Sequence, residues 1–332
     1  MKYETIKLLL INTVIVFSFF CGYSVHAVEL PGPLVESEWL AENREQVVIL
    51  DVRQDLKSFS SKPVYMRMKN TGKLKLVKVG GHIPGAILVD FKDLLTRRNI
   101  DGHEVSRLIP QKADFENLMQ QYGLHKDSVI IIVSKGQDSS DLTMATRLYW
   151  QLKYYGHDDM AILNGGMSDW LSNMYSISLQ AGNKNKKGNW LAKVERKQLL
   201  ATTKDVEMAL ANEHIQLVDN RTLDQYLGIQ KKSYVYSKGH ISGAKVLPHN
   251  LLATGSTPSR FLSNGKLRKI ANALNINVGK NTITYCNSGH LASGGWFILS
   301  ELLGNHNVKL YDGSMHEWTL KEERPVTSMK ME

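Results

Sequence analysis

Short, unbroken apolar runs alternate along the chain with longer segments in which apolar residues recur at helical spacing. Val129 to Val133 is a run of the first kind, and a stretch that short and continuous suits a strand buried on both faces. The second kind runs from Asp114 to Tyr122, Thr143 to Tyr155, Thr203 to Asn212, Lys266 to Leu274 and Ala292 to Leu303. Gly123, Gly156 and Gly304 close several of these segments, as expected where a helix ends in a left-handed turn. Alternation of this sort predicts a parallel α/β sheet, in which reactive groups gather at the carboxyl ends of the strands.

The pattern occurs twice. Val48-Ile49-Leu50-Asp51-Val52-Arg53, Gly81-His82-Ile83-Pro84-Gly85-Ala86, Val129 to Ser134 and Asn164-Gly165-Gly166-Met167-Ser168-Asp169-Trp170 follow one another in the first half. Leu217-Val218-Asp219-Asn220-Arg221, Gly239-His240-Ile241-Ser242-Gly243-Ala244, Thr282 to Cys286 and Tyr311-Asp312-Gly313-Ser314-Met315-His316-Glu317-Trp318 repeat that order in the second. A polar stretch with Lys184, Lys186 and Lys187 separates the halves and reads as a solvated linker. The expected organisation is a leader at 1–27, one domain at 28–178, a linker at 179–195 and a second domain at 196–332.

The leader is read from Lys2 and Lys7, the apolar stretch from Leu8 to about Gly22, and Val25-His26-Ala27 at a cleavage position. It predicts export, with a periplasmic location and no membrane attachment once cleaved; an uncleaved anchor is the alternative. Phe20 before Cys21 disfavours a lipoprotein. Cleavage removes the first 27 of 332 residues, takes the net charge from +9 to +8, and leaves Cys286 as the one cysteine, so no internal disulfide can form. The remaining lysines and arginines read as scattered, without the interleaved aromatics that nucleic-acid binding calls for.

Cys286 ends an apolar strand and is followed by Asn287, Ser288 and Gly289, then by a helical segment. A strand-to-helix turn points several backbone N–H groups at one atom, and the helix dipole adds positive charge; both favour a thiolate. A packing cysteine would sit inside the strand, so this position favours a reactive thiol.

Taken together, the paired Asp-x-(Val/Asn)-Arg strand ends, the two Gly-His-Ile-x-Gly-Ala turns, the cysteine loop and the terminal Gly-x-x-x-x-Trp elements resemble the two-domain rhodanese-type sulfurtransferases, from about Val35 to Trp318. The resemblance implies an α/β fold of two rhodanese-like domains, each a mainly parallel sheet flanked by helices. It implies that Cys286 takes a sulfane sulfur from a small anionic donor as a persulfide and releases it to cyanide, a thiol or a protein acceptor, without organic or metal cofactor. Ser134 stands where the first half would carry the nucleophile, so that half is expected to be non-catalytic. Asn287, Ser288, Gly289, His290, Leu291 and Ala292 would cradle the sulfur, with Arg221 and Gln225 beside the cleft.

The loop departs from the family. Thiosulfate-using members usually carry two cations directly after the cysteine; Asn287 and Ser288 are closer to the small polar loop of mercaptopyruvate-using members. Where an anion-binding arginine commonly follows the Asp-x-Arg element, this chain has Gln225. His290 is expected to supply a titratable cation or proton donor, or to be an exposed loop residue without a role. A phosphatase would need an arginine where Leu291 and Ala292 stand. The competing reading is a carrier of sulfur, selenium or a soft metal that uses Cys286 and His290 without turnover. His82, His240 and the Asp51–Arg53 and Asp219–Arg221 pairs recur in both halves and read first as structural.

Overall fold

The computed structural model describes residues 28–181 and 186–329. The expected leader, Cys21 and Lys184 lie outside the described residues. Strands β1 (Leu34–Val35), β2 (Val48–Arg53), β3 (Val64–Arg67), β4 (Leu74–Lys78), β5 (Ile87–Asp90), β6 (Thr96–Ile100), β7 (His103–Leu108), β8 (Ile130–Val133) and β9 (Met160–Leu163) belong to the first half. The second half contributes β10 (Leu200–Ala201), β11 (Ile215–Asp219), β12 (His240–Ile241), β13 (Lys245–Val246), β14 (Asn281–Tyr285), β15 (Val308–Tyr311) and β16 (Val326–Thr327).

Each half builds a five-stranded sheet, in the order β1-β9-β8-β2-β5 and β10-β15-β14-β11-β13, with every neighbouring pair parallel. The two orders are the same order, so the sequence repeat is a repeat of topology. All four residues of β8 are buried, which is why that strand reads as an unbroken apolar run. Three two-stranded antiparallel pairs, β3-β4, β6-β7 and β12-β16, project beside these sheets.

The recurrent polar landmarks fix the sheets to their turns. Arg53 grips Asp51 with Nε and Nη2, both at 2.7 Å, and Nη2 also donates to the Gly81 carbonyl at 2.7 Å. Arg221 repeats this with Asp219 and with the Gly239 carbonyl at 2.7 Å. In both halves the histidine of the turn bonds a backbone carbonyl and stacks at 3.7 Å on an aromatic ring, His82 on Phe59 and His240 on Tyr226. A buried ion pair is retained here because each guanidinium also satisfies a turn carbonyl.

The halves share one core. The helix Ser139–Tyr154 of the first packs against the helix His290–Phe297 of the second, and Leu148, Trp150, Trp296 and Phe297 belong to a single apolar cluster. Gly294 makes the approach possible, since a Cβ there would stand 2.7 Å from Thr143 Cγ2. Thr146 and Ser293 hydroxyls meet across this seam at 2.8 Å. Among the described residues, no helix is long and apolar enough to cross a membrane.

Candidate active site

β14 delivers Cys286 to its carboxyl end, and the next three residues turn into the helix His290–Phe297. Gly289 precedes that helix at φ 75°, where a side chain would be strained; its Cβ would also lie 2.6 Å from Asp312 Oδ1. The loop is held from below by the helix Ser314–Trp318. Ser314 Oγ accepts from the amides of Cys286 at 3.0 Å and Gly289 at 3.1 Å, while the amides of Met315 and His316 donate to the carbonyls of Cys286 and Asn287. Asn287 Nδ2 donates to Gln225 Oε1 at 2.7 Å.

Cys286 is only 1 % exposed, and it is on the wall of a cavity of about 270 Å³ between the halves. Phe91, Leu95, Arg107 and Ser140 line it from the first half. Lys232, Tyr234, Cys286, Asn287, Ser288, His290 and Leu291 line it from the second. Burial therefore belongs to a recessed thiol facing a small chamber, not to one sealed in the core. The lining holds two cations, Arg107 and Lys232, and no carboxylate, so the chamber favours anions.

Arg107 comes from β7, at φ 69°, with its guanidinium 5.1 Å from the Tyr234 ring. Tyr234 bonds Ser288, and burial raises its phenol pKa, so the hydroxyl stays protonated. Behind the loop, Arg147 and Asp312 form a buried ion pair across the halves at 2.6 Å; Asp312 Oδ2 also accepts from the Ile109 amide at 2.7 Å. Arg147 and Asp312 thus fix both the first half's hairpin end and the cysteine loop.

Of the residues singled out from sequence, Cys286, Asn287, Ser288, His290 and Leu291 meet on the cavity wall. Gly289 and Ala292 lie behind it, in the helix start. Gln225 touches the loop through Asn287. Arg221 is fully buried in its pair with Asp219, away from the lining. The Gly289 amide expected to face the sulfur is turned to Ser314 instead. His290 is not the expected cation: burial, then Arg147 and His249, push its pKa down to about 3, and its ring bonds Thr143 Oγ1 at 3.0 Å and the Ser140 backbone. With its polar atoms engaged in that way, it is a poor partner for Cys286 in holding a soft metal. Among the described residues, no group of three or more His, Cys, Asp or Glu is placed to hold a metal ion.

Sequence reasoning missed Arg107, Lys232, Tyr234 and Ser314. Only Ser314 carried a local signal, because the matching position of the first half is Gly166, and the two share a left-handed backbone, φ 52° and 55°.

Residues 36–173 and 202–321 each match the rhodanese-like domain. A relative from Haloferax volcanii that bears the name of a thiosulfate sulfurtransferase is 32% identical over 244 residues, covering 71% of this chain and 80% of its own. The thiosulfate sulfurtransferase of Corynebacterium glutamicum is 29% identical over 260 residues, or 74% and 79% of the two chains. The crystal structure of the 3-mercaptopyruvate sulfotransferase SseA from Escherichia coli superposes with a TM-score of 0.67 at 23% identity, over 85% of this chain and 98% of that one. Two matching domains, two sheets of one topology and sulfurtransferase relatives along most of its length place the chain in the rhodanese-like family, as a tandem-domain sulfurtransferase.

Proposed function

We propose that this sulfurtransferase is exported and moves a sulfane sulfur from a small anionic donor, thiosulfate or a 3-mercaptopyruvate-like compound, to a thiol, cyanide or protein acceptor through a Cys286 persulfide. The supporting observation is the recessed cavity, in which Cys286 shares a wall with two cations and no carboxylate. Export rests on Lys2, Lys7 and the apolar stretch that follows them.

In the first half-reaction the Cys286 thiolate attacks the donor's outer sulfur. With thiosulfate the donor S–S bond breaks, its electron pair leaves on sulfite, and the new S–S bond makes the persulfide. With 3-mercaptopyruvate the C–S bond breaks and the departing carbon takes up a proton, giving pyruvate. In the second half-reaction the acceptor attacks the outer persulfide sulfur, and the electron pair returns to Cys286 as thiolate. Neither half needs an external oxidant or reductant. Arg107 and Lys232 supply the positive charge that the loop itself lacks, and the protonated Tyr234 offers a hydrogen bond beside Ser288. The amides at the start of the helix His290–Phe297 stabilise the charge on sulfur.

The test is the intact mass of the purified protein after exposure to each donor. Wild type is expected to gain one reducible sulfur and Cys286→Ser none. Arg107→Ala is expected to keep the adduct but raise KM for the donor roughly ten-fold, the loss of about one charge-assisted hydrogen bond. Absence of the adduct with every donor would overturn the persulfide reading.

A further inference from the structure

Between Asp55 and Asp90 the chain has seven cations, Lys57, Lys62, Arg67, Lys69, Lys73, Lys75 and Lys78, and no carboxylate. That segment alone carries +7, against +9 for the whole chain. No two of the seven are adjacent, which is why they read as scattered. The fold gathers them on and around the β3-β4 hairpin, where all seven are exposed and, among the described residues, none is ion-paired with a carboxylate.

The hairpin also carries exposed apolar residues. Val64, Met66 and Val77, on its outer side, are 48%, 54% and 50% exposed, and Leu74, on the inner side but beyond the core, is 58% exposed. Its register explains this: Tyr65 and Leu76 are paired and turn to the core, so Val64 opposite Lys78 and Met66 opposite Lys75 face away from it. The second half does without such an element. Arg221 and Gly239 are 18 positions apart, whereas Arg53 and Gly81, which make the same bond, are 28 apart. The hairpin is thus an addition to the repeat, not a requirement of it.

We infer that the β3-β4 hairpin is a docking element for an anionic lipid surface. Lysine and apolar side chains paired across the strands, Lys75 with Met66 and Lys78 with Val64, suit an interface in which methyl groups enter the headgroup layer while ammonium groups stay among lipid phosphates. The size of the element favours a lipid occupant over a protein. Strands of four and five residues present a face of roughly 160 Å² at about 3.4 Å per residue and about 4.8 Å between strands. A specific protein partner needs about 800 Å² on each side. The absence of an outward aromatic argues against nucleic acid, since Tyr65 turns inward.

The test is co-sedimentation of the purified chain with vesicles of phosphatidylglycerol and phosphatidylcholine, against vesicles of phosphatidylcholine alone, at low and high salt. Binding is expected on the anionic vesicles and to weaken with salt. The triple change Lys73→Glu, Lys75→Glu, Lys78→Glu should lower the partition coefficient more than ten-fold, and Met66→Ser with Val77→Ser should lower it at unchanged charge. Sulfur transfer to a small thiol should be unaffected in both variants, which also shows that they fold. Equal binding to neutral and anionic vesicles, no binding at low salt, or tighter capture by a single-stranded oligonucleotide than by the anionic vesicles would overturn the inference.

Discussion

Ser314 occupies a left-handed conformation, φ 52°, that is costly for any side chain, and its hydroxyl takes both amides that shape the cysteine loop. The first half uses Gly166 there, where a Cβ would come within 2.3 Å of the Ser134 carbonyl. The serine is therefore retained for its oxygen and not for its backbone. Replacing Ser314 by glycine relieves the backbone but strands two buried amides, each worth about 1–3 kcal/mol. The expected outcome is a fall in kcat for sulfur transfer with a smaller change in KM, and a lower Tm, because two stranded amides outweigh the roughly 1–2 kcal/mol of backbone relief. A loss of Tm with unchanged kcat would show that the hydroxyl only supports the fold. At this scale the sequence exposed the place of the candidate nucleophile, because Cys286 is the one cysteine after position 27 and directly follows a strand. It hid Arg107 and Lys232, which reach the cavity from the β7 hairpin and a loop with no local pattern to mark them. It also misled on His290, since titration is decided by the burial and neighbouring charge that only the fold assembles.

The helix His290–Phe297 has two adjacent glycines in its interior, Gly294 and Gly295, a choice that costs roughly 1 kcal/mol each in helix propensity. Tertiary contact explains them: Cβ atoms would meet Thr143 on one side and the Asn220 amide on the other, at 2.7 and 2.3 Å. The sequence showed a helix here but not what it packs on, since the partner helix is in the other half. The same seam is fastened by Arg147 and Asp312, both buried. Arg147→Met should leave Asp312 as an unpaired buried carboxylate and destabilise the chain by about 3–5 kcal/mol. Adding Asp312→Asn should recover part of that loss, because the asparagine oxygen still accepts from the Ile109 amide while the stranded charge is gone. Denaturant midpoints of the single and double variants measure it. Strictly additive losses would mean that the two side chains act independently, contrary to their 2.6 Å separation.

Across the molecule, the repeat made the two parallel sheets legible, but it said nothing about how far burial of polar groups ties the halves together. Five histidines carry the consequence: burial is the largest cause lowering the pKa of His82, His157, His249, His290 and His316. Each stays neutral in the folded chain at pH values where the unfolded chain, with ordinary values near 6.5, takes up a proton. The unfolded state then binds more protons, so stability is fully present above about pH 6.5 and is lost as pH falls toward the folded values. Buried acids act in both directions. Asp158, held low by its bond to Arg196, adds to the loss only below its ordinary value, whereas Asp141 and Glu317, raised by burial, take up protons in the folded chain above theirs and so offset part of the histidine loss before that point. From about pH 6.5 to 5 the loss comes from the histidines, less what Asp141 and Glu317 return. His290, lowered to about 3, does not reach its folded value anywhere in that window. Going from pH 7.5 to 5, it alone should withdraw about 2 kcal/mol, at ~1.4 kcal/mol for each pH unit below 6.5. Urea unfolding of wild type and His290→Gln at both pH values isolates this contribution: the variant should lose about 2 kcal/mol less on acidification. Equal losses in the two proteins would mean that His290 protonates in the folded state, and that the cavity wall carries a third cation at acid pH.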